Sequence, residues 1–227
     1  MNHYTYFLLL LGTLSYPLLR SFEPRVQFYK NFKFLFPAIF YSAVIFIAAD
    51  VWFVRQGIWW FNPEHITGII LFNLPIEECL FFFIVPFSSV FIYDVLNYFV
   101  KKDVLKNYSK IITIVFCLIL LATAIVYQHR FYTLFYCLAL AIYLLFHQFV
   151  LKSTYLGRFY LLWTILIIPF LLFDGLATWI PIVYYNDNFI TGFHVFTTPI
   201  EDLIYGILQI LLVIGAYEWM KRRGSRK

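Results

Sequence analysis

Charged residues are scarce in this sequence. They make up 13% of its 227 residues, about half the share in a typical soluble domain, whereas 63% of the residues are hydrophobic. A water-soluble protein of this size has too little interior to bury so much apolar surface. The composition therefore excludes soluble enzymes, nucleic-acid binders and disordered chains, and it predicts an integral membrane protein.

The sequence also lacks the motifs of common cofactor and metal sites. Its nine glycines never form G-x-G, which excludes a dinucleotide-binding fingerprint. The cysteines, Cys79, Cys117 and Cys137, lie in apolar runs without a C-x-x-C pair, so neither a disulfide nor a cysteine metal site is expected. No two histidines have the H-x-x-x-H or H-x-x-H spacing of metal ligands, and there is no D-D-x-x-D motif for pyrophosphate. We therefore predict a protein that uses no metal and no cofactor.

Seven apolar stretches are candidates for membrane-spanning helices, which need about 20 residues each. They cover residues 4–20, 34–54, 76–99, 110–128, 131–151, 159–180 and 201–220. The first stretch has neither a basic n-region nor a small-x-small cleavage site, and we expect a retained helix rather than a signal peptide. The predicted fold is an all-α integral membrane protein with seven transmembrane helices.

Lysines and arginines gather on one side of the predicted membrane. Of the 17 basic residues, 15 lie in the loops after the first, third and fifth spans or in the C-terminal tail: Arg20, Arg25, Lys30, Lys33, Lys101, Lys102, Lys106, Lys110, Lys152, Arg158, Lys221, Arg222, Arg223, Arg226 and Lys227. Only Arg55 and Arg130 lie on the other side. Because basic loops stay in the cytoplasm, we predict a multi-pass protein of the bacterial cytoplasmic membrane, with its N-terminus outside and its C-terminus in the cytoplasm.

The sequence repeats itself at an offset of 124 residues. Residues 62–78 read NPEHITGIILFNLPIEE and residues 186–202 read NDNFITGFHVFTTPIED, and the identical positions include Asn, Thr, Gly, Pro and Glu. Shared apolar composition would not match such residues. We predict a parallel duplication, with a first repeat over 1–100, a connector helix over 101–128 and a second repeat over 129–227. The matched polar groups are then expected to face one shared cavity.

Each repeat has an acidic motif where a long apolar span begins. The motif reads PIEE over residues 75–78 and PIED over residues 199–202. One interpretation is helix capping, with Thr198 as N-cap and Glu201 completing a capping box. Capping explains Glu78 and Asp202 less well, since carboxyl groups inside a membrane are costly unless they are functional or paired. A carboxylic acid held neutral there could donate a proton, and we predict that Glu77, Glu78, Glu201 and Asp202 are the catalytic acids.

Two further pairs of acids match at the same offset. Asp50 and Asp174 lie in the outer parts of their spans, where they either support catalysis, for example as a base, or form a buried hydrogen bond to a neighbouring helix. Asp94 and Glu218 lie near the cytoplasmic ends of their spans, and we expect these two to be solvated helix ends.

Polar loops and aromatic rings accompany the acids. The two Asn-x-x-x-Ile-Thr-Gly stretches, which begin at Asn62 and Asn186, are expected to form structured outer loops that hold the carboxylates in place. Aromatic rings at this level suit a long polyene and could stabilise a carbocation by cation–π attraction. The candidate substrate-binding residues are Trp60, Asn62, Phe81, Phe82, Tyr184, Asn186 and Tyr205.

With these motifs the sequence resembles the membrane-integral lycopene cyclases of carotenoid biosynthesis, which occur as two small subunits or as one fused chain. The resemblance rests on the doubled Pro-x-Glu-Glu/Asp motif, on the residues 60–63 (WFNP) and 66–68 (ITG) before its first copy, and on 81–83 (FFF) after it. It covers almost the whole chain, and each half matches one subunit. The second half departs from the pattern, because Tyr205 and Gly206 stand where the first half has Phe81 and Phe82.

The resemblance implies cyclisation of the ψ-ends of lycopene to β-ionone rings, which gives γ- and β-carotene. Such an acid–base isomerisation has no net redox change, so it requires no flavin. The implied partners are a lipophilic carotenoid and membrane lipid, without nucleic acid, together with other carotenoid enzymes or a second copy of the chain. Two other functions stay open: a carotenoid hydratase that quenches the same cation with water, and a seven-helix transporter or receptor.

Overall fold

The computed structural model describes residues 3–224, so Arg226 and Lys227 of the basic tail lie outside the described residues. This part of the chain contains the helices α1 (Thr5–Arg20), α2 (Phe32–Arg55), α3 (Ile76–Phe99), α4 (Ser109–Val126), α5 (Phe131–Leu145), α6 (Leu156–Trp179) and α7 (Ile200–Gly224). Short 3-10 helices, Phe28–Asn31 and Lys106–Tyr108, precede α2 and α4, and a π-helical segment, Phe146–Val150, continues α5.

Six helical segments are long and apolar enough to cross a bilayer, and they overlap six of the predicted spans. They are Phe28–Arg55, Ile76–Phe99, Lys106–Val126, Phe131–Val150, Leu156–Trp179 and Ile200–Gly224. Helix α1 coincides with the first predicted span, but its 16 residues rise only about 24 Å, less than the ~30 Å of a hydrocarbon core. Length and composition thus support a membrane protein with six candidate spans, and α1 as a further span stays a prediction.

The loops contain short β-strands that the all-α prediction did not include. They are β1 (Trp59–Phe61), β2 (Ile70–Leu71), β3 (Leu74–Pro75), β4 (Val183–Tyr185), β5 (His194–Val195) and β6 (Thr198–Pro199). Strands β2 and β3 pair Ile70 with Pro75, and β5 and β6 pair His194 with Pro199, which is the same register 124 residues later. Each hairpin turns tightly because its first turn residue, a phenylalanine at 72 or 196, has a positive φ of 52° or 58°.

The chain divides into two compact units. The first unit takes in the described residues up to Phe99, together with Leu176–Tyr184 and the chain from Gln209 onward. Within it, α3 packs against α1 and α2. Because α3 is apolar around most of its circumference, it can be enclosed by its neighbours, and 72% of its most apolar window is buried.

The second unit consists of Val100–Gly175 and Tyr185–Leu208. Helix α4 packs against α5 here, and the buried side chains include Cys137, Leu140 and Phe159. Only 22% of the apolar window of α4 is buried. The remaining exposed apolar surface is typical of a helix that contacts lipid.

Gly206, which stands where the first half has Phe82, has a packing role in the second unit. In the first unit, Phe82 of α3 is fully buried and its ring centroid lies 6.1 Å from that of Phe46. In the second unit, a Cβ atom added to Gly206 would lie 2.6 Å from Cε2 of Phe170. Phe170 stands 124 residues after Phe46, and its ring lies against the α7 backbone, so that a side chain at Gly206 would require this ring to shift.

Candidate functional site

The loop before each motif helix folds back onto the first acid of the motif. In the first unit, the backbone N–H of Thr67 donates a 2.7 Å hydrogen bond to Oε1 of Glu77. In the second unit, the N–H of Thr191 donates a 2.6 Å hydrogen bond to Oε1 of Glu201. The glycines that follow these threonines have φ values of 83° and 77°, which a side chain would disfavour. The Ile-Thr-Gly stretches therefore form the predicted structured loops that hold these carboxyl groups.

The first acid of each motif is fully buried and has one oxygen without a partner. Glu77 and Glu201 are both 0% exposed, and in each of them Oε2 has no hydrogen-bond partner among residues 3–224. Glu201 accepts a second hydrogen bond at Oε1 from the hydroxyl of Thr133, at 2.5 Å. The capping box suggested by the Thr198–Glu201 spacing is not formed, because Oε1 of Glu201 is bound by Thr133 and Thr191 instead. A buried carboxyl oxygen without a partner is costly and is typical of a functional group.

Tyrosine hydroxyls bind the second acid of each motif. Within the first unit, the hydroxyl of Tyr6 donates to Oε2 of Glu78 at 2.5 Å. Within the second unit, Tyr132 donates to Oδ1 of Asp202 at 3.2 Å and Tyr185 donates to Oδ2 at 2.6 Å. Glu78 and Asp202 are both buried. A buried carboxyl group with hydroxyl donors on its oxygens is held in one orientation.

Sequence reasoning missed Tyr6, Tyr132 and Thr133 as partners of the acids. The backbone shows that the two tyrosines are equivalent, since Tyr6 N–H donates to the carbonyl of His65 and Tyr132 N–H donates to that of Phe189, 124 residues after His65. The tyrosines themselves are 126 residues apart. A comparison without gaps at 124 pairs Tyr6 with Arg130, whereas a two-residue gap would have found the match.

Asp50 and Asp174 lie near the motif acids of their own units. In the first unit, Cys79 is within electrostatic reach of both Asp50 and Glu78. In the second unit, Asp174 and Glu201 interact electrostatically with Asp202. Asp50 is buried and Asp174 is partly buried. The structure therefore brings Asp174 near Asp202 and brings Asp50 and Glu78 near Cys79, and the role of each aspartate stays a prediction.

Three predicted substrate-binding residues form a surface cluster in the first unit. The rings of Trp60 and Tyr184 stack with centroids 5.9 Å apart, and both side chains are exposed. The side-chain amide of Asn62 donates to the Tyr184 hydroxyl at 3.4 Å. The Oδ1 atom of Asn62 accepts the N–H of Glu64, and Oδ1 of Asn186 accepts that of Asn188. Both asparagines therefore shape loop turns, and substrate binding by this cluster stays a prediction.

The other predicted aromatic contacts are buried. Phe81 and Phe82 lie edge to face with centroids 5.4 Å apart. Tyr205 is buried in the second unit, with its ring 5.0 Å from that of Tyr136. Tyr136 in turn lies 4.9 Å from Tyr132, which binds Asp202. Tyr205 thus belongs to an aromatic cluster beside the second motif acid.

Asp94 is not a solvated helix end, so that prediction is wrong for Asp94, whereas the side chain of Glu218 is 17% exposed. Asp94 is buried and its Oδ2 accepts hydrogen bonds from the hydroxyl of Tyr217 at 2.6 Å and from the amide of Asn31 at 2.7 Å. Glu218 accepts a 3.0 Å hydrogen bond from the hydroxyl of Tyr93. In the first unit, donors from other helices take the place of water around Asp94.

The comparisons with known proteins agree with this site. A family model described as lycopene cyclase matches the chain twice, over residues 3–96 and 128–220. No curated protein and no solved structure matches the chain in the two other comparisons. Each matched stretch contains one acidic motif and the tyrosine that binds its second acid. Since the two stretches together make up most of its length, the chain belongs to the lycopene cyclase family.

Proposed function

We propose that the protein is a lycopene β-cyclase, which closes the ψ-ends of lycopene into β-ionone rings and gives γ- and β-carotene. Membership of the lycopene cyclase family supports a carotenoid cyclase. The observation that carries the proposal further is the pair of buried acids in each motif. One acid has an oxygen without a partner and the other is bound by tyrosine. Acid–base catalysis needs a proton donor and a proton acceptor held in fixed positions.

The reaction takes place in three steps. A carboxylic acid donates its proton to C2 of the terminal double bond, which leaves a cation at C1. The C5=C6 double bond attacks C1, so that the C1–C6 bond forms and the charge moves to C5. A carboxylate then removes the proton from C6, and the new C5=C6 double bond completes the β-ring. One proton enters and one leaves, so the product has the mass of the substrate.

We assign the donor role to Glu77 and Glu201. Their Oε1 atoms are bound by a backbone N–H, while Oε2 is buried without a partner among the described residues, so an O–H at this atom has no competing acceptor there. We assign the acceptor role to Glu78 and Asp202. Ionised carboxylates only accept hydrogen bonds, and these two are bound by the hydroxyl donors of tyrosines. Asp50 and Asp174 are assigned a supporting role.

Aromatic rings beside the acids support passage through a cation. Tyr6, which binds Glu78, stacks on Phe61 with centroids 6.5 Å apart. In the second unit, Tyr132 belongs to the cluster with Tyr136 and Tyr205. The faces of such rings attract positive charge, more strongly when water is excluded. Exclusion of water favours ring closure over hydration of the same cation.

We propose further that α1 is a seventh span and that the two halves, 1–100 and 129–227, arose by duplication around a connector over 101–128. The matching hairpins and carboxylate contacts 124 residues apart support this relation. With the basic loops in the cytoplasm, the N-terminus is outside and both motifs begin near the outer face of a bacterial cytoplasmic membrane.

The proposal is tested by pigment analysis in bacteria that accumulate lycopene. Expression of the chain is expected to convert lycopene to β-carotene, with γ-carotene as the intermediate, at unchanged mass. The control is the same membrane fraction carrying Glu77→Gln together with Glu201→Gln. A gain of one water per end would show a hydratase instead, and unchanged lycopene with the protein in the membrane would contradict β-cyclisation of this substrate.

A further inference from the structure

A cavity with a basic lining lies in the second unit, away from the acidic motifs along the chain. It has a volume of about 380 Å³, within the range of about 300–1,000 Å³ that is common for small-molecule sites. Three lysines line it, Lys106, Lys110 and Lys152, together with two serines, a threonine, a glutamine and a phenylalanine. None of these lining residues is acidic. The lining therefore carries up to three positive charges and no negative charge.

The two chain segments that form the cavity meet at one end of the α4–α5 pair. One segment is the 3-10 helix Lys106–Tyr108 with the start of α4. The other runs from the π-helical segment through Lys152, whose φ of 49° lies in the left-handed region. The N–H of Ser153 returns to the carbonyl of His147 at 2.9 Å. A residue other than glycine is strained in this conformation, and such local strain is concentrated at functional positions.

The polar groups of the lining are suited to an anion. The Oε1 atom of Gln148 accepts a hydrogen bond from the hydroxyl of Thr113 at 3.3 Å, which leaves the amide N–H groups of Gln148 as donors. The ammonium group of Lys110 lies 5.9 Å from the ring centroid of Phe149. The closest acid along the chain, Asp103, is not part of the lining and accepts the N–H of Leu105. Ammonium, amide and hydroxyl donors without a carboxylate fit phosphate oxygens.

An exposed apolar stripe continues from the cavity along each helix. On α4, Ile114 and Leu118 follow Lys110 at intervals of four residues, and both are exposed. On α5 and its π-helical continuation, Ile142 and Phe149 are exposed. A free phosphate ion would make no contact with these apolar stripes, whereas the acyl chains of a phospholipid would cover them.

We propose that this cavity binds the phosphate of an anionic membrane phospholipid, whose acyl chains lie along α4 and α5. Basic pockets between transmembrane helices bind such headgroups, and each nearby lysine strengthens the binding. The cavity lies where the sequence predicts two basic loops on the same side of the membrane, at the level of the headgroups. The site is independent of the proposed cyclase reaction, so either proposal can fail without the other.

The test measures lipid binding by the full chain, purified in detergent. The probes are phosphatidylglycerol, cardiolipin, phosphatidylcholine and inorganic phosphate, and the readouts are the dissociation constant and the rise in thermal unfolding temperature. The cavity variant is Lys110→Gln with Lys152→Gln. The control is Lys30→Gln with Lys102→Gln, which changes the net charge equally at exposed lysines outside the lining. Lys106→Gln alone is a milder second variant.

Wild-type protein is expected to bind phosphatidylglycerol and cardiolipin at least about tenfold more tightly than phosphatidylcholine. The cavity variant should weaken this binding about thirtyfold and Lys106→Gln about fivefold, on the basis of about fivefold per lysine. The control variant should change it less than about threefold. Equal losses in cavity and control variants, or no preference over phosphatidylcholine, would overturn the proposal. Inorganic phosphate that stabilises the protein as well as the lipids do would also overturn it, in favour of a soluble phosphate ligand.

Discussion

Removal of one hydroxyl group from Tyr185 tests the role of Asp202 most selectively. The 2.6 Å hydrogen bond from Tyr185 to Oδ2 is the shorter of the two tyrosine bonds to this acid. Phenylalanine keeps the ring and removes only the donor. The first half of the chain has Phe61 at the corresponding position, 124 residues earlier, so the ring without a hydroxyl suits the fold. We therefore expect Tyr185→Phe to fold and insert normally.

The size of the expected fall in rate follows from the kind of hydrogen bond that is lost. A hydrogen bond to a charged group contributes about 1.5–3 kcal/mol, and every 1.4 kcal/mol corresponds to a factor of ten. If Asp202 accepts the C6 proton, its orientation matters in the transition state, and the rate of ring closure should fall about 10- to 100-fold. Tyr132→Phe removes the 3.2 Å bond and should cost less, because a longer hydrogen bond is weaker.

The assay is the initial rate of β-ring formation from lycopene in proteoliposomes, followed by chromatography, with every protein carrying Glu77→Gln so that Glu201 is the remaining assigned donor. Tyr155→Phe serves as the control, because the hydroxyl of Tyr155 is buried and hydrogen-bonded to Nδ1 of His147 at 3.0 Å. This variant also loses one buried hydrogen bond in the second unit, but at a site that contains no motif acid. It should lose about 1 kcal/mol of unfolding free energy, the usual contribution of a hydrogen bond, and keep the wild-type rate.

Two results would refute this reasoning. A Tyr185→Phe protein with the wild-type rate and a lowered unfolding temperature would show that the bond to Asp202 only stabilises the fold. Equal rate losses in Tyr185→Phe and Tyr155→Phe would show that the loss of a buried hydrogen bond, rather than its position at Asp202, affects the reaction.

Three further predictions concern the second acids of the two motifs, the glycine at position 206 and the buried acid Asp94. The double variant Glu78→Gln with Asp202→Asn should abolish ring formation while the protein still inserts, and pigment analysis that shows undiminished β-carotene would contradict this. Gly206→Ala should lower the free energy of unfolding by about 1–3 kcal/mol, since the new Cβ would collide with Phe170, whereas Gly12→Ala meets no atom within 4 Å and should leave the unfolding temperature unchanged or higher. Asp94→Asn should destabilise the protein by about 1–3 kcal/mol, because it weakens buried hydrogen bonds to a charged acceptor, and an unchanged thermal midpoint would contradict this.

Much of the architecture could be predicted from the sequence because hydrophobic length and charge distribution act locally. The stretch over 76–99 predicts α3 at its observed bounds, and the other five candidate spans overlap their predictions. The repeat predicts that the loops before Glu77 and Glu201 are equivalent, and both acids accept the N–H of the threonine ten residues earlier. Such contacts follow from a motif that is short and continuous in sequence.

Contacts between distant parts of the chain could not be predicted in the same way. Tyr6 binds Glu78 across 72 residues, and only the packing of α1 against α3 brings the two side chains together. Asp94 near the end of α3 looks like a solvated acid in the sequence, but Tyr217 and Asn31 come from other helices to bind it. The pairing of helix faces in a bundle depends on tertiary packing, which a single sequence does not specify.

The most direct test of the central claim is the rate of β-ring formation by the double variant Glu77→Gln with Glu201→Gln compared with wild type in proteoliposomes. Glutamine can keep the hydrogen bond from the loop N–H, but it cannot donate a carboxylic acid proton to C2. We predict that the double variant loses about 10²- to 10⁴-fold in rate, with the thermal unfolding temperature within a few degrees of wild type. Ring formation at the wild-type rate in the double variant would contradict the assignment of these buried glutamates as the proton donors.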